Sequence, residues 1–317
     1  MIHRTVAIVL VAAAFGAAVP AAGVPLPKIA SGVSVGGVAI GGLSSEEARN
    51  KLAQRVETPV SFYQGAHSWK ADPSELGAST SVQKALATAL LAHPNQALPL
   101  KVGVDVHAVR RYVKNLDEKY RERPVNAKLI GLQNLAPSFQ EAKEGRKVDV
   151  DLLTHQVVEA LRTTYRSVRL PVPLVAIDPK VTSSNWGPII VIRRGSNHLY
   201  LYDGSHLVQT FGVATGQSQY PTPLGDWHIV TMQRNPWWLP PDSPWAKGAK
   251  PIPPGPGNPL GTRWMGLDAA GVGIHGTPDA ASIGYSASHG CIRMRIPDAE
   301  SLFTQVEVGT PVYIVSA

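Results

Sequence analysis

Cys291 is the single cysteine of a 317-residue chain, and His275 stands sixteen positions before it. A thiol becomes a nucleophile when an imidazole within hydrogen-bond reach takes its proton, so these two residue types form a candidate pair for covalent acyl chemistry. Their surroundings read Gly273-Ile274-His275-Gly276-Thr277, then Ser286-Ala287-Ser288-His289-Gly290-Cys291-Ile292-Arg293-Met294. Gly276 and Gly290 remove side-chain bulk beside each member, which lets a substrate backbone approach closely. Consecutive amides at His289, Gly290 and Cys291 are suited to an oxyanion pocket. Arg293 shares a face with Cys291 on an extended chain, where it would lower the thiol pKa or bind a carboxylate. The bland alternative is an inert buried thiol that packs as a small hydrophobe. These neighbours speak against it.

The elements that must position the pair read as β-rich. Val272 and Ile274, flanked by glycines, predict a short strand that delivers His275 to a surface. Residues 189–192, 199–202 and 207–213 run or alternate as β-branched segments, and Asp203-Gly204 is a hairpin signal. Residues 227–232 and 311–315 add strands. A small β-sandwich with Cys291 near its edge is expected. Prolines break the pattern between Gln233 and Arg263. Trp237, Trp238, Trp245 and Trp264 lie in or beside that loop and argue against disorder. It reads either as a lid whose indoles pack on a ligand or as a loop that its own indoles anchor.

The chain before Gly187 mixes helix and strand. Residues 32–43 alternate small and β-branched types as an extended segment. Ser44 and Glu47 then form a capping box before Ala48, Leu52 and Val56 at helical spacing. A strand is expected at 59–63, and a second helix at 82–91 with Thr80 and Gln83 as its capping box. A third helix carries Val106, Val109, Val113 and Leu116 on one stripe; a fourth carries Leu153, Val157 and Leu161. Residues 172–177 suggest a further strand. At the start, His3 and Arg4 precede an apolar run over 6–19 and small residues at 21–23. This describes a secretory signal over 1–23, with an uncleaved anchor as the competing reading. Export sharpens the cysteine count, because an oxidising compartment usually pairs its cysteines and a lone one is a candidate reactive thiol. The net charge of +7 is scattered over the sequence with no basic stripe, which speaks against nucleic acid as a partner.

Two strings, Ile274-His275-Gly276-Thr277 and Ser288-His289-Gly290-Cys291-Ile292-Arg293-Met294, resemble the signature of the L,D-transpeptidases of YkuD type. Gly212-Val213-Ala214-Thr215-Gly216 and Thr222-Pro223-Leu224-Gly225-Asp226-Trp227 resemble the same family's entry segment. The likeness covers about residues 187 to 315. It implies that Cys291 is the nucleophile, that His275 accepts and returns the proton, and that the Gly276 carbonyl orients the histidine. It further implies backbone oxyanion donors around His289 and Gly290. Arg293 stands where many relatives have Asn and is expected to contact substrate, with Ser288, Trp264 and Tyr285. The implied reaction is ping-pong acyl transfer on a peptidoglycan stem tetrapeptide, releasing D-Ala and forming a 3→3 cross-link. Water as acceptor would make the same site an L,D-carboxypeptidase, and lost turnover would leave a non-catalytic wall-binding protein. No cofactor is implied. Zinc on His275, His289 and Cys291 is disfavoured by the glycine-flanked turn and the lack of an adjacent carboxylate.

The glycine-rich opening and its helix resemble a peptidoglycan-binding domain often fused upstream of such catalytic domains; a folded spacer is the alternative. The expected fold is therefore an α+β N-terminal domain over 32–182, followed by a mainly-β L,D-transpeptidase (YkuD-like) β-sandwich catalytic domain over 187–317. The expected setting is extracytoplasmic, on the stem peptides and glycan of an anionic wall. Membrane contact would come only through an N-terminal anchor, and carbapenems are the expected acylating inhibitors.

Overall fold

The computed structural model describes residues 27–163 and 168–317, so the leader expected over 1–23 lies outside the described residues. Among the described residues no helix is long and apolar enough to cross a membrane. The chain divides into two compact units. One takes the residues up to Glu118 together with Val148–Pro173; the other takes Lys119–Lys147 and Leu174–Ala317. Residues 119–147, grouped with the upstream domain in the sequence reading, thus fall in the same unit as the strands that follow.

In the first unit, α1 spans Ser45–Val56 and begins on a complete capping box. Ser44 Oγ accepts from Glu47 N at 3.3 Å, and the Glu47 carboxylate accepts from Ser44 N at 2.8 Å. The helix α2 spans Val82–Leu90, and its cap differs from the expected one. Ser81 accepts from Lys84 N at 3.2 Å, while Thr80 closes the strand Ala78–Thr80. Strand pairing of Thr80 with Val102 moves the cap one residue on, and Lys84 then stands at N3 with no acceptor to complete a box. Leu52 and Ala48 of α1 meet Leu86 and Ala89 of α2 in one core cluster with Val33, Val35 and Ile40. The opening segment is a pair of two-residue strands, Ser34–Val35 and Val38–Ala39, rather than one extended run. Gly36 and Gly37 both adopt positive φ and make the turn between them. The helix α3, Val106–Tyr120, buries Val109, Val113 and Leu116, whereas Val106 in its first turn is 42% exposed. The helix α4, Val150–Thr163, buries Leu153, Val157 and Leu161. The strand expected at 172–177 shortens to Leu174–Ile177, which falls in the second unit, because Val172 N donates to the Tyr63 carbonyl instead and Pro173 has no N–H to continue a ladder.

The second unit is mainly β. Its strands are β1 (Pro188–Arg193), β2 (His198–Asp203), β3 (His206–Gly212), β4 (Gly225–Arg234), β5 (Arg263–Leu267), β6 (Gly273–Thr277), β7 (Ile292–Arg295) and β8 (Pro311–Val315). They form one eight-stranded sheet in the order β3-β2-β1-β8-β4-β5-β6-β7. The β2–β3 hairpin turns at Gly204, whose φ of 56° suits glycine. The ten-residue β4 pairs with β8 through its first four residues and with β5 through its remainder. The β4–β5 register slips between Ile229 and Thr231, and an irregularity of this kind bends a sheet. The two halves share a single core in which Ile190, Leu201 and Phe211 of one meet Met265, Ile274 and Ile292 of the other. The sandwich is one sheet folded over at β4. Helix α5 (Ile296–Phe303) follows β7 and adds Ala299, Leu302 and Phe303 to that core. The outer face of β1, β2 and β8 is covered by the hairpin of Lys128–Gln133 and Ala136–Gln140, through Leu129, Leu132 and Phe139.

Candidate active site

His275 lies at the centre of β6 and is 4% exposed. Its register partners are Trp264 on antiparallel β5 and Arg293 on parallel β7. Nδ1 lies 2.6 Å from the carbonyl oxygen of Gly276. A carbonyl only accepts, so Nδ1 carries the proton and the neutral ring presents Nε2 as an acceptor. Burial pushes the imidazole pKa down to about 4; the Gly276 carbonyl opposes this, and the Arg293 guanidinium adds to it. The indole of Trp264 stacks on the ring, with centroids 5.9 Å apart.

Cys291 immediately precedes β7 and is partly buried, with Sγ 3.5 Å from the Gly271 carbonyl. Burial raises the thiol pKa, and a hydrogen bond from the Gly273 backbone and the Arg293 charge lower it by less. Arg293 thus acts in the expected sense and loses to desolvation. The resting pair is a neutral thiol with a neutral imidazole, not an ion pair.

The turn that presents the thiol is tied down on all sides. Gly290 has φ of 112°, a conformation that side-chain-bearing residues rarely adopt. Ser288 is 1% exposed; its hydroxyl donates to the Cys291 carbonyl at 2.5 Å and accepts from Gly290 N at 3.1 Å. Its hydroxyl holds the turn, and Ser288, expected among the substrate contacts, also lines the cleft. Because Gly290 N–H is engaged there, the neighbouring amides of His289 and Cys291 become the candidate oxyanion donors. Thr222, fully buried, donates to the Gly290 carbonyl at 2.9 Å and accepts from Gly216 N at 2.8 Å. Thr222→Val keeps the shape and leaves both backbone groups unpaired, which costs about 1–3 kcal/mol for each buried group so orphaned. A lower melting temperature and slower acylation of Cys291, with His275 unaltered, are the expected readouts.

Cys291 and His275 line one cleft of about 810 Å³, together with Tyr220, Trp238, Trp245, Trp264 and Arg293. The loop of residues 235–262 forms one wall. Asn258, 1% exposed, pins it: Nδ2 donates to the carbonyls of Pro236 at 2.9 Å and Pro253 at 3.0 Å, and Oδ1 accepts from Leu260 N at 2.8 Å. Trp245 stacks on the exposed imidazole of His289 at 4.1 Å, and Tyr220 meets the same ring at 5.1 Å. Trp237 keeps 57% of its surface exposed at the cleft. Both readings of the loop therefore have residues behind them: Trp245 packs on the protein, and Trp237 is open. Arg293 approaches Asp279 at 3.7 Å. Tyr285, expected at the substrate, is 67% exposed and does not line the cleft. Among the described residues no group of three or more His, Cys, Asp or Glu side chains is arranged to hold a metal. Sequence reasoning missed Tyr220, Asp279 and Asn258. The one available signal was an asparagine amid the prolines of a loop with no ladder to hold it.

Residues 187–314 match the family model described as the L,D-transpeptidase catalytic domain, YkuD. Residues 69–168 match a "Putative peptidoglycan binding domain". That match begins after the glycine-rich opening, so residues 32–43 do not carry it. A Bacillus subtilis protein named "Putative L,D-transpeptidase YqjB" is 35% identical over 133 residues, 40% of this chain and 70% of that protein. "Putative L,D-transpeptidase YkuD" of the same organism is 34% identical over 125 residues, 39% of this chain and 64% of that protein. A solved structure of an L,D-transpeptidase from Mycobacterium smegmatis is 17% identical, with a TM-score of 0.35 over 40% of this chain and 58% of that one. With the strands, the thiol turn and the histidine already placed, the family model and the Bacillus subtilis relatives identify the chain as a member of the L,D-transpeptidase family.

Proposed function

We propose that the protein works outside the cytoplasm as a peptidoglycan L,D-transpeptidase that forms 3→3 cross-links through a thioester on Cys291. One observation carries this reading: a thiol and a neutral imidazole, whose Nδ1 proton is fixed by Gly276, line the same cleft. A stem tetrapeptide lies with the carbonyl of its third residue against Cys291. As Sγ attacks, Nε2 of His275 takes the thiol proton. The amides of His289 and Cys291 receive the developing oxyanion. The tetrahedral species collapses, the bond to the terminal D-Ala breaks, and the imidazolium gives its proton to the departing amine. An amine from a neighbouring stem then attacks the thioester and loses a proton to His275, and the thiol is restored. Arg293, at the cleft beside the nucleophile, is placed for a substrate carboxylate. The upstream domain is read as the part that holds the enzyme on the wall.

Mass spectrometry of muropeptides after incubation with a tetrapeptide donor tests the reading. Loss of D-Ala with a cross-linked dimer is the expected result. Loss of D-Ala with water alone incorporated would make the enzyme an L,D-carboxypeptidase. No product from folded protein would reduce it to a wall-binding module.

A further inference from the structure

The His275 ring is restrained from two directions. Along its edge, Nδ1 meets the Gly276 carbonyl at 2.6 Å. Across its face, the Trp264 indole stacks with 29° between the planes. The two residues are direct partners across the β5–β6 ladder, where facing side chains meet on one side of a sheet. The indole fits only because the positions beneath it lack side chains. A Cβ on Gly273 would lie 2.5 Å from the six-membered ring, and one on Gly266 would lie 2.8 Å from Nε1. Both distances are well inside ordinary van der Waals contact. An edge hydrogen bond alone lets an imidazole rock about the bond axis, and a stack alone lets it turn in its own plane. Together they leave Nε2 one direction.

We infer that Trp264 is a positioning residue for the transfer reaction: its indole fixes the plane of the His275 ring and keeps Nε2 aimed into the cleft that Cys291 lines. This rests on the reading of Cys291 and His275 as nucleophile and base. Rates in such systems fall steeply with small misplacement, by about 10²-fold for 1 Å. The ring it stacks on is only 4% exposed, so the indole is placed to be part of its cover. Arg293 on β7 is the charge that acts on the ring, and the other ionisable groups lining the same cleft are Cys291, His289, Asp279, Asp242 and Tyr220. Glu300 on α5, which packs over β6, is engaged by Thr262 and Arg263. With that set unchanged, removal of the indole acts on His275 through hydration and ring freedom alone.

The test compares the wild type with Trp264→Ala, Trp264→Phe and Gly273→Ala, all checked for folding by melting. Trp264→Ala is expected to acylate roughly 10- to 100-fold more slowly with a tetrapeptide donor, with donor KM little changed. Trp264→Phe, which restores a ring face, is expected to recover most of the rate. Gly273→Ala keeps the indole and displaces it, so it should repeat the loss. NMR titration of labelled histidine, with His275 assigned through His275→Gln, should place the wild-type ring near 4 and the Trp264→Ala ring closer to 6.5. Wild-type acylation by Trp264→Ala, or an unmoved titration, would overturn the inference. So would a loss confined to KM, which would make the indole a substrate contact. A wild type that never acylates would sink the transpeptidase reading, while the histidine titration would still decide what Trp264 does.

Discussion

Cys291→Ala is expected to lose covalent capture completely: intact-mass spectra with a carbapenem should show one added equivalent on the wild type and none on the variant. The chain has no other cysteine to take over, and the turn that presents Cys291 is held by Ser288 and Thr222 rather than by the thiol. The variant should therefore fold and melt close to the wild type, which separates loss of chemistry from loss of structure. Release of D-Ala should fall below detection in the same protein. Cys291→Ser, which keeps a proton donor toward the Gly271 carbonyl, should also fail. A hydroxyl is a far weaker nucleophile than a thiol when the base beside it has a pKa near 4. An adduct on Cys291→Ala would remove the nucleophile assignment.

His275→Gln is expected to slow acylation by about 10²- to 10⁴-fold, the range spanned by one positioned acid–base group. The loss stays short of total because oxyanion donors and binding survive. The pH profile distinguishes the roles. His275 accepts a proton only while neutral, and its pKa lies near 4. Wild-type kcat/KM should therefore hold level down through pH 6.5 and fall only as pH approaches 4. The residual rate of His275→Gln should instead climb with pH, because the raised thiol pKa leaves little thiolate at neutrality. Stability carries the same signature. Between pH 6.5 and 4 the unfolded chain binds a proton at this histidine and the folded chain does not, so the folded state weakens as pH falls. The difference in pKa sets an upper limit of about 3 kcal/mol. His275→Gln should lose less stability across that window, by chemical denaturation at each pH. An acid limb near 6.5 in the wild type would mean that the ring is wet.

Much of this arrangement could be read from residue order. Strands with strict alternation or β-branched runs, such as Pro188–Arg193 and Pro311–Val315, declared themselves because their faces are buried almost continuously. The paired strings around His275 and Cys291 marked the site because glycines and a lone thiol in that order serve few structural ends. What stayed hidden depends on contacts distant in sequence. The hairpin of 128–140 is built from half-buried residues, and its turn places Asn134 and Leu135 at positive φ, so a lone asparagine followed by leucine, without glycine, was its one weak turn signal. Strand β5 was masked by the proline-rich stretch before it. The protonation states were also out of reach. Arg293 argued for an ionised thiol in one dimension, while burial, which is a property of the fold, decided the other way.

That burial has an outcome beyond the transfer reaction. Peroxides and small disulfides react with the ionised sulfur and leave the protonated form largely alone. A sulfur that burial keeps protonated in the resting enzyme can persist among oxidants that would sulfenylate a permanently charged one. Selectivity among electrophiles is then set by which molecules fit the cleft between the indoles and His275 on β6.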